Sequence, residues 1–279
     1  MGMIEANGAR FGYDEAGEGP AVVLLHAGLA DRRMWDHQFT ALAEHHRVIR
    51  YDRRGHGESD GPEGTVSHHR DLLAVMDALG VDEAALVGSS MGGAYSLDAA
   101  LAAPSRVRRI ALVGAGLSGH EWPADMAAEM WATLRAAVPP ERLEQYQAHT
   151  AERVDEADVS AAAEANARYF IVGPHRTPDV LDARTWSMAK EMCELVYRRA
   201  WNGPKWTEDV PATRPRLAEI AAPTLVLIGL SDASGLLALA DLFTTAIPGA
   251  RRLDLPDTGH LPPMERPAET TRALLDFLA

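Results

Sequence analysis

Six short apolar runs recur along the chain: AVVLLHAG (21–28), HRVIRYD (46–52), EAALVGS (83–89), RRIALVG (108–114), PTLVLIG (223–229) and ARRLDLP (250–256). Each is too short for a helix of ordinary length, and most are rich in Val, Ile and Leu without alternating polar residues. That is the mark of a strand buried on both faces. Amphipathic helical stretches lie among them at 67–79, 91–103, 235–247 and 267–278. Alternation of this kind predicts an α/β fold, a doubly wound and mostly parallel sheet with helices on both faces. Ahead of the first run, MIEA and ARFGYDE flank Asn7-Gly8, a strong two-residue hairpin signal.

One stretch breaks the alternation. Residues 119–215 show no convincing strand pattern, but helical windows at about 123–137, 141–152, 158–168 and 178–200, interrupted by Pro139-Pro140, GPHRTP and NGP. The segment reads as a helical cap inserted into a core domain made of 1–118 and 216–279.

The third run leads straight into GSSMGG. Only one of the two serines fits Gly-x-Ser-x-Gly: Ser90 has Gly88 and Gly92 at two residues on either side, whereas Ser89 has Val87 and Met91. A sharp strand-to-helix turn needs near-absent side chains at those positions, and it lifts its central hydroxyl above the sheet, before the free N–H groups of the next helix. By itself the pentapeptide is as easily a glycine-rich turn without chemistry.

A serine nucleophile needs a base, and the base needs an acid to fix its tautomer. His260, in TGHLPP just after the last run, lies at the carboxyl edge, where parallel sheets place their chemistry. Asp232 follows the preceding run by three residues, again at that edge, and is preferred over Asp257, which reads as a turn aspartate.

The order Ser90, Asp232, His260 resembles that of the α/β-hydrolase superfamily. So do LLHAGLADRRMWDHQ, VIRYDRRGHGESDGP and TGHLPPMERP, which look like that family's oxyanion loop, its Asp-x-Arg-Gly-x-Gly-x-Ser segment and its histidine loop. The resemblance covers nearly the whole chain. It implies an eight-stranded α/β-hydrolase fold with a helical cap, a catalytic triad and no cofactor. Within the serine branch, the chain looks most like enol-lactonases and small carboxylesterases.

The same resemblance assigns the oxyanion donors to the backbone N–H groups of Met91 and Gly28. The family's usual His-Gly-x is replaced here by His26-Ala27-Gly28, which leaves Leu29 open as the second donor. His26 is expected to be structural, and Asp52, Arg54, Gly55, Gly57 and Ser59 to shape a nearby loop. Substrate walls are expected from Leu29, Trp35, Trp122, Trp131 and Trp186, with Met126, Met130, Met188 and Met192 alongside. Arg176 is weighed as the partner of a substrate carboxylate against an ordinary surface ion pair.

Other chemistries fare poorly. Gly114-x-Gly116-x-x-Gly119 formally matches a dinucleotide fingerprint, but it leads into the cap and not into a helix of a βαβ unit. The pairs His45-His46 and His68-His69 lack metal-ligand spacing, so no metal is expected. A net charge of −13 argues against nucleic acid. A single cysteine, Cys193, permits no internal disulfide, and neither a signal segment nor a membrane span is seen. The expectation is a cytoplasmic enzyme with a small-molecule partner and no membrane or nucleic-acid partner, a homodimer being left open. The expected activity is hydrolysis of a small, largely apolar ester or lactone. Its rivals are carbon–carbon bond hydrolysis of the meta-cleavage-product type, and a lyase or binding protein that retains the triad.

Overall fold

Asn7 and Gly8 both have positive φ, 44° and 72°, the pair of left-handed conformations that a tight two-residue hairpin requires. They join β1 (Gly2–Ala6) to β2 (Ala9–Ala16) in antiparallel register. The computed structural model describes residues 2–279. Its further strands are β3 (Ala21–Leu25), β4 (Arg47–Tyr51), β5 (Gly64–Val66), β6 (Ala84–Ser89), β7 (Val107–Val113), β8 (Trp206–Glu208), β9 (Thr224–Gly229) and β10 (Arg251–Leu255). Eight strands form one sheet in the order β1-β2-β4-β3-β6-β7-β9-β10. β2 runs antiparallel to both neighbours, and every other pair is parallel.

The central strands divide their residues between two cores. Val23, Leu25, Leu86, Leu112 and Ile228 face one cluster, while Val22, Leu24, Val87, Val113 and Leu227 face the other. Burying each such side chain contributes ~1.5–3 kcal/mol relative to exposure, and this explains why the runs show no polar alternation. On the first face pack α2 (His68–Ala78), α3 (Met91–Ala102) and α8 (Ser234–Ala246); on the second, α1 (Asp36–Leu42) and α10 (Pro267–Leu278), with the short α9 (Pro262–Glu265) before it.

Between β7 and β9 lie α4 (Ala124–Ala137), α5 (Pro140–Ala148), α6 (Glu156–Asn166), a π-helical turn over Ala167–Val172, and α7 (Ala183–Asn202). These helices share a small core of their own, built on Leu134, Val138, Leu143, Tyr146 and Trp201. One expectation fails here. The segment holds a strand, β8, which pairs in parallel with β5 as a separate two-stranded ribbon. Three residues are too few to show a period, and the partner lies far upstream, so nothing local announces the pairing. No helix among the described residues is long and apolar enough to cross a membrane.

Both connections to this helical segment meet at one carboxylate. Asp98 of α3 is buried and accepts the hydroxyls of Ser118, at 2.5 Å, and Thr213. Burial pushes its carboxyl up to about 6, against the two hydroxyl donors, which favour the charged form. A folded-state value above the unfolded one means that the native protein holds the extra proton between the two, so this group's contribution to stability falls as pH rises toward 6 and then levels. Asp98→Asn is therefore expected to gain on wild type as pH rises from about 4 to about 6, by at most ~3 kcal/mol. Thermal midpoints of both proteins across that range check it, and a constant difference would refute it.

Candidate active site

Parallel strands deliver their loops to a common edge. Here the carboxyl ends of β3, β6, β9 and β10 lead to Gly28, Ser90, Asp232 and His260 respectively. Ser90 stands alone between the last residue of β6 and the first of α3, with φ 52° and ψ −120°. A non-glycine residue in that region costs of order 1–3 kcal/mol and persists only where the surroundings over-determine it. They do so here. Ser90 N–H donates to Val113 O at 3.0 Å, and Ser90 O accepts the N–H groups of Gly93 at 2.9 Å and Gly116 at 2.8 Å.

The flanking glycines are needed for space, because none of them has positive φ. A Cβ on Gly88 would lie 2.3 Å from Gly92 O, and one on Gly92 would lie 2.3 Å from Leu25 O. Ser89 is fully enclosed, whereas Ser90 lines a cavity. The two adjacent serines thus have different surroundings, one closed in the sheet and one open to the cavity.

His260 lines the same cavity as Ser90. Its Nδ1 lies 2.7 Å from Asp232 Oδ2, and Asp232 Oδ1 accepts the Ala233 N–H at 2.7 Å. A carboxylate can only accept, so Nδ1 is the donor, which in the neutral tautomer leaves the lone pair on Nε2. Asp257 is exposed, has φ 49° and sits in the turn after β10. The glycine run 114–119 backs the pair. A Cβ on Gly114 would come within 3.2 Å of His260 Nδ1, and no helix starts between Gly114 and Ala124. This run is a support for the loops that carry Asp232 and His260.

Ala27 to Ala30 form a turn closed by Ala30 N–H to Ala27 O, 3.2 Å. Ala27 O also faces His26 Nδ1 at 2.8 Å and accepts from Arg53 Nη2 at 3.3 Å. Across a trans peptide the N–H points opposite to the C=O, so the Gly28 N–H is turned away from that buried layer, and Gly28 lines the cavity. Met91 is close by: a Cβ on Gly28 would lie 3.5 Å from Met91 Cγ. His26 Nε2 accepts the Arg53 N–H at 2.9 Å, which makes Nδ1 the donor to Ala27. Burial, reinforced by the Arg53 charge, holds its pKa well below the usual imidazole value, and the ring acts as a neutral strut under the turn. Asp52 has a similar scaffold role, accepting the N–H groups of Arg32 at 2.8 Å and Glu58 at 2.9 Å.

The cavity measures about 290 Å³ and touches Leu29 and Trp122, as expected, along with Met126 and Met130. Three of the expected wall residues are elsewhere. Trp35 is fully buried in the second core, under the sheet. Trp131 follows Met130 by one residue, which turns it about 100° around α4; with Leu134 and Val138 it faces the core of the helical segment. Trp186 packs on the second core, where the Arg168 guanidinium lies 5.7 Å from its ring. Met188 and Met192 also pack there. In their place come Phe170, Ile171, Leu236 and Leu261. Leu261 directly follows His260 and Leu236 lies in the first turn of α8, just after Asp232, so adjacency to those two residues was a usable signal. Phe170 and Ile171 lie on the π-helical turn, which carries no such mark.

Comparison with known proteins agrees with this fold. Residues 20–267 match the alpha/beta hydrolase fold family. The chain is 29% identical over 278 residues to 2-hydroxy-6-oxo-6-phenylhexa-2,4-dienoate hydrolase of Burkholderia cepacia, covering 97% of this chain and 91% of the relative. It is 26% identical over 261 residues to 3-oxoadipate enol-lactonase 1 of Acinetobacter baylyi, covering 93% and 88%. Among solved structures, the enol-lactonase from Burkholderia xenovorans LB400 superposes with a TM-score of 0.76 at 26% identity, covering 99% of both chains.

Proposed function

Given that the chain belongs to the alpha/beta hydrolase fold family, we propose that this hydrolase cleaves a small, neutral, largely apolar ester or lactone through a serine acyl-enzyme. Ser90 attacks the carbonyl as His260 Nε2 takes its proton, and Asp232 holds and charge-stabilises the imidazole. The N–H groups of Gly28 and Met91 stabilise the oxyanion, a pair of donors each typically worth ~10²–10³ in turnover. The protonated His260 gives that proton to the departing alkoxide oxygen as the ester C–O bond breaks, and the neutral ring then takes a proton from the water that attacks the acyl-enzyme, so that the acid is released and Ser90 regains its hydrogen.

The observation that carries the substrate class is the cavity wall. Apart from Ser90 and His260 every lining residue is apolar, and no Lys, Arg, Asp or Glu is among them. A substrate carboxylate placed there would lose its hydration without gaining a cation, at a cost of several kcal/mol. The second reading, hydrolysis of a carbon–carbon bond in a carboxylated dienone, is favoured by the likeness to the Burkholderia cepacia hydrolase. Steady-state kinetics on p-nitrophenyl butyrate, a δ-lactone and a 2-hydroxy-6-oxo-dienoate separate the two. Larger kcat/KM on the neutral substrates is expected. Preferential cleavage of the dienoate would overturn the ester reading.

A further inference from the structure

Beside the catalytic histidine lies a buried ion pair that the proposed chemistry does not use. Glu265, the last residue of α9, has a side chain only 3% exposed and is paired with Arg176, which is itself 15% exposed. Both guanidinium Nη atoms reach its carboxylate, Nη1 at 3.2 Å. The same carboxylate oxygen that faces Nη1 also accepts the N–H of Gly259, at 2.8 Å. Gly259 is the residue before His260.

The other side of that peptide is equally confined. A Cβ on Gly259 would lie 2.6 Å from Ile171 O and 2.7 Å from Val172 O, at the end of the π-helical turn. Arg176 Nη1 donates to Val172 O as well, at 3.0 Å. Phe170, from the same turn, places its ring 6.1 Å from the His260 imidazole, centre to centre. The backbone leading into the base is therefore gripped between Glu265 and the helical segment, and Arg176 ties the two together.

A two-pronged guanidinium–carboxylate pair fixes direction as well as distance. Taking away either partner leaves an uncompensated buried charge, which relaxes by protonating or by turning to water. Either response would loosen the hold on the Gly259 N–H, because a neutral acid accepts more weakly than a carboxylate and a side chain turned to water no longer accepts from it. We propose that Arg176 and Glu265 are positioning residues for His260, through which the helical segment sets the peptide that presents the catalytic imidazole. This rests on His260 being the base. Arg176 is not a substrate counter-ion, because its Nη atoms are committed to Glu265 and Val172 and it does not line the cavity.

The test uses the full chain carrying Arg176→Lys, Arg176→Met or Glu265→Gln. Three quantities are read: kcat and KM on p-nitrophenyl butyrate, the rate of inactivation by a fluorophosphonate, and the low-field proton resonance of His260 Nδ1–H. A misplacement of about 1 Å can cost ~10²-fold in turnover. For Arg176→Met and Glu265→Gln, kcat is expected to fall by ~10–10²-fold on that basis with KM within about twofold. Inactivation should slow in parallel, the resonance should shift, and Arg176→Lys should recover part of the loss. Wild-type kcat and inactivation rate in the folded variants, whatever their thermal midpoint, would overturn the proposal. So would a KM increase confined to an acidic ester such as mono-p-nitrophenyl succinate. If Arg176→Met does not fold, the near-isosteric Glu265→Gln and the charge-retaining Arg176→Lys decide the matter. His260→Ala is run beside them: inactivation that survives it would remove the functional reading itself, whereas sensitivity to His260 but not to Arg176 or Glu265 would remove only the brace.

Discussion

Replacing Ser90 by alanine is expected to lower kcat on a neutral ester by ~10⁵–10⁶-fold, the scale seen when a triad nucleophile is removed. The loss is large because the acyl-enzyme route disappears altogether, leaving only what oriented binding and the oxyanion donors can do for water. Stability should not follow activity. Alanine occupies the same φ of 52° as serine, and the hydrogen bonds that hold the turn are all made by the backbone of residue 90. The thermal midpoint of Ser90→Ala should therefore stay near that of wild type. Ser89→Ala is the matched comparison. Ser89 Oγ is enclosed and has no partner among the described residues, so its removal leaves the reaction cavity unaltered. Kinetics and fluorophosphonate labelling with peptide mapping read both variants. Retained turnover in Ser90→Ala, or label on any other residue, would refute the assignment.

Asp232→Asn is expected to cost ~10⁴-fold in kcat, by the tautomer argument that governs such triads. The Ala233 N–H already occupies Oδ1. An asparagine that keeps its oxygen there must present its NH₂ to Nδ1. The ring then carries its proton on Nε2 and cannot accept one from serine. Asp257→Asn, at an exposed turn, should leave kcat within about twofold, as surface changes remote from special features do. kcat/KM measured on both variants decides between the two aspartates, and comparable losses would break the triad as drawn.

Much of this site was legible before any fold was known. The Gly88, Ser90, Gly92 spacing is a local statement about a bend that tolerates no side chains at its flanks, and the distances at Gly88 and Gly92 show that space is indeed the constraint. Asp232 and His260 were found by their places after strands, because a parallel sheet converts position along the chain into position along one edge. The pocket walls were less accessible. Tryptophans in a helical segment are all large and apolar, and only their rotation about the helix axis decides which reach the cavity. Met130 and Trp131 are neighbours in sequence, yet one faces the cavity and the other a separate core. Arg176 shows the same limit. As an isolated cation in a loop it could serve a substrate or a surface acid, and its partner Glu265 lies on a different element far down the chain.

The sequence by itself therefore determined the strand-helix alternation, the glycine-flanked turn at Ser90, and the chain order in which Ser90, Asp232 and His260 reach one edge of the sheet. Each of these is encoded by residues within a few positions of one another or by sequence order alone. Only the tertiary structure decided which helix faces meet the cavity, that β8 pairs with β5, and that Gly259 is held between Glu265 and the π-helical turn. Those features depend on contacts between segments far apart in the chain, whose energies come from mutual packing, and no single segment carries a record of its partner.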